Sequence, residues 1–323
     1  MKKRKEIKRT LFALLIPVTA LAVVLLLLPY LVISHHTLSV TIYLFISVVV
    51  FLTLLPLRNY WPIRSTKMVD IIISIITWAI ALPVIIIFGV LGCCVVFVRG
   101  KSIYIIIEKL SIIMNYLFGL KLRLLGEEIP NCQFGLTYNH TSTKDDFFNA
   151  ILMGHNRWKI VFSPEILRMP FVSFFAKLIG IPITRTDLGS RVATMRKIIK
   201  ETNKGYNILM LAEGNRLPVV KNNKNTPTDE LKKQQILLPF KDGLFAWSKM
   251  TGIPISPVVI SWMFLYQPRR QWWFSPQEID VYRLKLMYPR EGEDIEQYKT
   301  RVRDAMLEVL EKSLSEKKIQ LEH

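Results

Sequence analysis

From Leu11 to Ser34 the chain reads LFALLIPVTALAVVLLLLPYLVIS without one charged side chain, and after a short SHHT link a second uncharged run extends from Leu38 to Leu57. As helices these runs are about 36 Å and about 30 Å long, enough to cross a hydrocarbon layer of about 30 Å. They predict a helical hairpin through a membrane. Six of the first ten residues are Lys or Arg, a flank that keeps the N-terminus cytoplasmic. Two spans then return the chain to the same side, where Arg58, Arg64 and Lys67 follow. A cleaved signal peptide has a shorter apolar core and a small-residue cleavage site, and neither is present. A third apolar run, Ile71 to Val98, contains Pro83, Gly89 and Gly92. Proline breaks or kinks a helix, and each half is only about 20 Å long. Because Arg99, Lys101, Lys109, Lys121 and Arg123 come next, a re-entrant or in-plane hairpin fits 71–98 better than a third span. Residues 102–120 read as a helix at the interface, with Glu108 and Lys109 facing out.

Composition narrows the partners. A chain that is 51% hydrophobic, with mean hydropathy +0.30, excludes disorder, and three cysteines in 323 residues exclude a disulfide scaffold. Cys93, Cys94 and Cys132 have no metal-ligand spacing, and His35 and His36 read as loop residues. The net charge of +18 calls for an anionic partner. Beside an apolar N-terminus that partner is an anionic membrane face, and no nucleic-acid-binding module signature is present.

From about Lys121 short apolar runs alternate with helical stretches. KLRLLG, FGLTYN, WKIVFS, IPITRT, YNILMLAEG and ISPVVISWMFL read as strands. FFNAILMG, FVSFFAKLIG and SRVATMRKIIKETNKG read as helices, the last ended by Gly205. The pattern predicts an α/β domain, a mixed sheet flanked by helices. The predicted organisation is a basic tail over 1–10, a membrane region over 11–98, an interfacial helix over 99–120 and the α/β domain over 121–320. Residues 321–323 read as a tag remnant. Residues 217–236 are polar and irregular and read as a loop.

The chemistry begins at Asn139-His140-Thr-Ser-Thr-Lys-Asp145. His140 lies at a strand end and Asp145 in the first turn of the next helix. That spacing lets a carboxylate stand behind an imidazole, fix its tautomer and stabilise its protonated form, as a general base requires. Ser142-x-x-Asp145 is equally a capping box, in which Asp serves the helix start. Glu213-Gly214-Asn215-Arg216 ends another strand and puts a charge pair on a turn, an anion site or a surface ion pair. Arg185 ends the strand of Gly180-Ile-Pro-Ile-Thr-Arg185. Phe240-Lys241-x-Gly243 leads into a helix, and Ile253-Pro254-Ile255-Ser256-Pro257-Val258 opens a strand.

In order and spacing these blocks resemble the glycerolipid acyltransferase superfamily, in particular the 1-acyl-sn-glycerol-3-phosphate (lysophosphatidic acid) acyltransferases. The resemblance runs from about 121 to 310 and includes the tail YPREGEDIEQYKTRVRDAMLEVL. It implies the glycerol-phosphate acyltransferase-like fold and transfer of a fatty acyl group from a thioester, on coenzyme A or acyl carrier protein, to a lysolipid hydroxyl. No cofactor and no metal are implied. By the same resemblance His140 is the base and Asp145 its orienting group. Arg185, Glu213 and Arg216 hold the acceptor head group, with Gly214, Asn215 and Lys241 counted as substrate-binding and Asn139 and Pro257 as site-shaping. The two arginines suit a phosphate. Trp272, Trp273 and Phe274 and the apolar residues of 103–120 read as acyl tunnel, interfacial rim or core. Two departures bear on the acceptor. The family usually has Phe-Pro-Glu-Gly-Thr-Arg where this chain has Leu211-Ala212-Glu213-Gly214-Asn215-Arg216, and the loop from Arg216 to Phe240 is long. The expected product is phosphatidic acid. Another lysophospholipid or an amino lipid as acceptor, or an inactive lipid-binding protein, remains the alternative. The expected location is a cell membrane, multi-pass, with the catalytic domain on the cytoplasmic face; the Lys/Asn/Ile-rich usage leans towards a bacterial inner membrane.

Overall fold

The structure, a computed structural model, describes residues 68, 70, 71, 74, 75, 77, 78, 102–142, 144–168, 172–183, 187–216, 236–261, 263, 274 and 277–322. The expected spans 11–34 and 38–57, most of 71–98, Arg185, Trp272, Trp273 and most of the 217–239 loop lie outside the described residues. Among the described residues, no helix is long and apolar enough to cross a membrane.

Helix α1 (Ser102–Leu117) leads into strand β1 (Leu120–Gly126). Strand β2 (Gly135–Tyr138) is followed by a 3-10 turn (Asp145–Phe148) and helix α2 (Asn149–Met153). Strand β3 (Trp158–Phe162), helix α3 (Val172–Ile179) and strand β4 (Gly180–Pro182) come next, then helix α4 (Leu188–Thr202) and strand β5 (Asn207–Leu209). Helix α5 (Gly243–Thr251), strand β6 (Ile255–Ile260), strand β7 (Gln277–Arg283) and helix α6 (Ile295–Glu322) complete the domain. The α4 start is explicit in its residues. Asp187 accepts the Ser190 N–H at 2.7 Å, and the Ser190 hydroxyl accepts the Asp187 N–H at 3.2 Å, a reciprocal cap that satisfies two otherwise orphaned donors.

The strands form one seven-stranded sheet in the order β1-β7-β6-β2-β5-β3-β4. Strands β6, β2, β5, β3 and β4 are parallel to one another. Strand β7 runs antiparallel to β6 and parallel to β1. The mixed sheet expected from the alternating pattern is therefore present. Strand β7 and its insertion between β1 and β6 were not part of that expectation.

Parallel strands covered on both faces are apolar along their whole length, and all six residues of ISPVVI in β6 are buried. Val258 and Ile260 face one layer, with Phe134, Leu136, Tyr138, Phe148, Leu152, Phe118 and Met114. Ile255 and Val259 face the other, with Ile208, Leu244, Phe245, Trp247, Tyr298, Val302 and Met306. Gly135 lets that second layer close: a Cβ there would fall 2.5 Å from the Trp247 ring. The Trp247 indole N–H donates to Thr202 Oγ1 at 2.9 Å, tying α5 to α4. At the β1 edge, Lys121 meets Glu278 at 2.9 Å and the Arg123 guanidinium grips Asp280 through two bonds of 2.7 Å.

Candidate active site

In open α/β sheets the ends of parallel strands leave a crevice where the chain turns away in opposite directions. Strand β2 lies between β5 and β6, so its carboxyl end opens into such a crevice. Asn139 is the first residue past β2 and is buried. Its amide donates to the Ile260 carbonyl at 2.8 Å and accepts the Ile260 N–H at 2.7 Å. This side chain fixes the exit of β2 against the end of β6.

His140 follows, with 14% of its side chain exposed, while Asp145 is fully buried. Asp145 Oδ2 accepts the N–H groups of Thr141 (2.7 Å) and Ser142 (2.8 Å) and faces His140 Nδ1 at 3.2 Å. Ser142 Oγ in turn accepts the Lys144 N–H at 3.2 Å. Of the expected Ser142-x-x-Asp145 capping box, the Ser142 N–H to Asp145 bond is present, while the Ser142 hydroxyl takes the Lys144 N–H. The same carboxylate that closes the turn stands behind the imidazole. With Nδ1–H donating to Asp145, Nε2 is the nitrogen left to accept a proton. Burial works against a charged His140. The Asp145 hydrogen bond and the Asp145, Asp146 and Glu213 charges outweigh it, holding its pKa above the ordinary value of 6.5.

Glu213 lies past the end of β5 and is 2% exposed. Its Oε1 accepts the His140 N–H at 2.7 Å and its Oε2 accepts the Leu238 N–H at 2.9 Å. The turn that allows this has Gly214 at φ 70°, with the Gly214 N–H on the Leu211 carbonyl at 3.0 Å. Positive φ is a conformation glycine adopts without strain. Burial lifts the Glu213 pKa to about 7, against the pull of the two amides and of His140. The sequence placed Glu213 on a turn in a charge pair with Arg216, an anion site or a surface ion pair. In the structure it turns inward, because two amides at the sheet end need an acceptor and a buried donor left unpaired costs about 1–3 kcal/mol. Asn215 and Arg216 are exposed.

Asn139, His140, Asp145, Glu213 and Gly214 thus meet at one end of β2, β5 and β6. Lys241 adjoins them through its backbone N–H, 2.7 Å from the Ala212 carbonyl, with an exposed side chain. Pro257 is buried within β6 opposite Thr137, and its carbonyl accepts the Leu284 N–H at 2.9 Å. Ile183, the last described residue before Arg185, leaves the same end of β4, which runs parallel to β3. Sequence reasoning missed Leu238 as the second amide on Glu213. It also missed Lys144, whose side chain is buried beneath the turn.

Residues 127–261 match the family model described as Acyltransferase. One curated relative is a chloroplastic 1-acyl-sn-glycerol-3-phosphate acyltransferase, BAT2, from Brassica napus, 24% identical over 137 residues, which is 42% of this chain and 35% of that protein. The chain thus spans about a third of that relative's length. Among solved structures, the 1-acyl-sn-glycerophosphate (LPA) acyltransferase PlsC from Thermotoga maritima superposes with a TM-score of 0.62 at 20% identity. That match covers 76% of this chain and 96% of that one.

The inward Glu213 carries a prediction. Glu213→Gln keeps one acceptor oxygen but turns an NH2 group towards an amide N–H. The His140 backbone should loosen, and kcat should fall about 10-fold to 100-fold while KM stays within about twofold. Steady-state kinetics over both substrates decide this. A raised KM at unchanged kcat would instead make Glu213 a substrate ligand.

Proposed function

We propose that this chain is a membrane-bound acyltransferase that moves a fatty acyl group from a thioester, acyl-CoA or acyl-ACP, to the sn-2 hydroxyl of lysophosphatidic acid, giving phosphatidic acid. The observation that carries the reading is the pair His140–Asp145, with Nε2 as the accepting nitrogen, inside a span that matches the Acyltransferase family.

The chemistry follows from the residues. His140 Nε2 takes the proton of the acceptor hydroxyl as that oxygen attacks the thioester carbonyl. The tetrahedral intermediate collapses, the C–S bond breaks and the imidazolium returns its proton to the departing sulfur. The products are an ester and a free thiol. Asp145 holds the ring in the required tautomer and stabilises its positive charge between the two steps. No acyl-enzyme intervenes, because the acceptor oxygen attacks the thioester directly. Arg185 and Arg216 hold the phosphate of the acceptor, and Glu213 holds the backbone of the base. The uncharged runs 11–34 and 38–57 place the domain on the cytoplasmic face of a cell membrane, at the depth of the head groups. The outward Ile105, Ile112, Ile113 and Tyr116 of α1 support a lipid-facing side.

A second reading keeps the reaction and changes the acceptor to another lysophospholipid or an amino lipid. Asn215 in the place of the family's usual Thr and the long 217–239 loop favour it. The test is thiol release from palmitoyl-CoA by detergent-purified protein, with lysophosphatidic acid, with other lysolipids and with His140→Ala as control. Release confined to lysophosphatidic acid and lost in the variant is the expected result. Release with a different lysolipid moves the acceptor and keeps the base. No release from palmitoyl-CoA or from acyl-ACP with any acceptor would leave a lipid-binding protein.

A further inference from the structure

Lys144 is the residue before Asp145, and the acyl-transfer mechanism above assigns it nothing. Lysines at protein surfaces bury the stem and keep the ammonium in water. Here the whole residue is 5% exposed. Its Nζ lies 4.3 Å from the centre of the Trp78 ring and 4.7 Å from that of Phe118. Phe118 follows α1. Trp78 belongs to a helical segment, described at 68, 70, 71, 74, 75, 77 and 78, that comes after the uncharged N-terminal runs. The two rings meet edge to face at 5.2 Å, and Phe118 meets Phe274 at 5.4 Å. The segment is anchored a second time through Ser74, whose hydroxyl donates to the Asp70 carbonyl at 2.6 Å and accepts the Phe274 N–H at 2.9 Å. A cation over an aromatic face is attracted most strongly where water is excluded. Burial pulls the Lys144 pKa down to about 8, so the ammonium is still charged at neutral pH.

We propose that Lys144 is a positioning residue for acyl transfer. Its ammonium, held over Trp78 and Phe118, fastens the His140–Asp145 turn to the 68–78 segment, so that the turn is set only when that segment is seated. The backbone makes the connection short. The Lys144 N–H is on Ser142 Oγ, the Ser142 N–H is on Asp145 Oδ2, and the same oxygen faces the His140 ring. A shift of Lys144 towards solvent therefore moves the group that orients the base. A phosphate-binding role is the weaker reading, since the ammonium faces rings and is closed to solvent. Only the catalytic consequence rests on the acyltransferase reading; the clamp itself does not.

The test uses the full chain in detergent, with Lys144→Met, Trp78→Leu, the double variant and Trp78→Phe, which keeps an aromatic face. Backbone amide hydrogen exchange over 139–148 is measured beside kcat and KM for lysolipid and thioester. The clamp predicts that Lys144→Met and Trp78→Leu each speed exchange at Thr141 and Ser142 about tenfold and lower kcat about tenfold, with both KM values within about twofold. The double variant should be no worse than the worse single, and Trp78→Phe should recover most of the loss. Unchanged exchange and kcat in Lys144→Met would overturn the proposal, as would effects that simply multiply in the double variant. Should Lys144→Met fail to fold, the Leu and Phe variants at position 78 decide alone, equal damage in both counting against the clamp. If the wild type transfers no acyl group to any lysolipid, the function proposed above falls, and the exchange measurements still decide the clamp.

Discussion

His140→Ala should lower kcat for acyl transfer about 1,000-fold, within the range of roughly 10²–10⁴ that a positioned general base contributes. The melting temperature and the thioester KM should stay near the wild-type values. The separation is expected from the geometry. The side chain of His140 makes its hydrogen bond to Asp145, whereas the structural bond to Glu213 comes from the His140 backbone N–H and survives the substitution. Asp145 Oδ2 also retains two backbone amides. Initial rates at saturating thioester and lysolipid, with a thermal melt on the same preparation, make the check. A kcat within about tenfold of wild type would remove His140 from the role of base.

Asp145→Asn should be nearly as damaging, and its signature lies in the pH profile. In the wild type the carboxylate helps hold the His140 pKa above 6.5, against burial. Only the neutral imidazole accepts a proton, so the rate falls as pH drops through that raised value. The amide that replaces the carboxylate carries no charge. Burial then weighs more heavily, and the His140 pKa moves down. The acid limb of kcat/KM should shift to lower pH, while the plateau falls about 100-fold because the ring loses its orienting charge. The sign fixes the comparison: the variant's deficit is largest at pH 8 and narrows towards pH 6. An acid limb that stays in place while the plateau drops would mean that the limb reports another group, Glu213 being the nearest alternative with its pKa of about 7.

Much of the candidate site was written locally, and that part was legible. His140 and Asp145 are separated by one turn, so spacing alone brings imidazole and carboxylate within reach. Strands such as ISPVVI declared themselves by unbroken apolar runs, because both faces of the sheet are covered. What escaped depends on contacts far along the chain. QEIDVYR alternates Ile279 and Val281 with Glu278 and Asp280, and the acidic pair makes sense only once Lys121 and Arg123 lie beside it. Glu213 read as half of a charge pair on a turn, and a sequence does not show which way a strand-end carboxylate turns. Its direction is set by amides 73 and 25 positions away, at His140 and Leu238. Lys144 sits in a polar stretch that reads as exposed. Its burial is created by Trp78 and Phe118, which arrive from two other segments. Asn139 was named as site-shaping from its motif, but its reciprocal bond to Ile260 belongs to the packed sheet.

The two outer strands of the sheet have a further consequence, for how this domain behaves among its neighbours. An uncovered strand offers a ladder of free amides and carbonyls to any extended chain that drifts past, which is how sheets fuse and fibrils begin. Strand β1 carries Lys121 and Arg123 in its middle, both well exposed. A strand arriving there would have to strip water from two cations already engaged with Glu278 and Asp280. At the far side β4 is only three residues long and ends at Pro182, so there is hardly a ladder to copy. As exposed ion pairs the β1 contacts add little stability. Their value is protective: the one flank long enough to recruit a stray strand is fenced with charge, and the other is too short to need it.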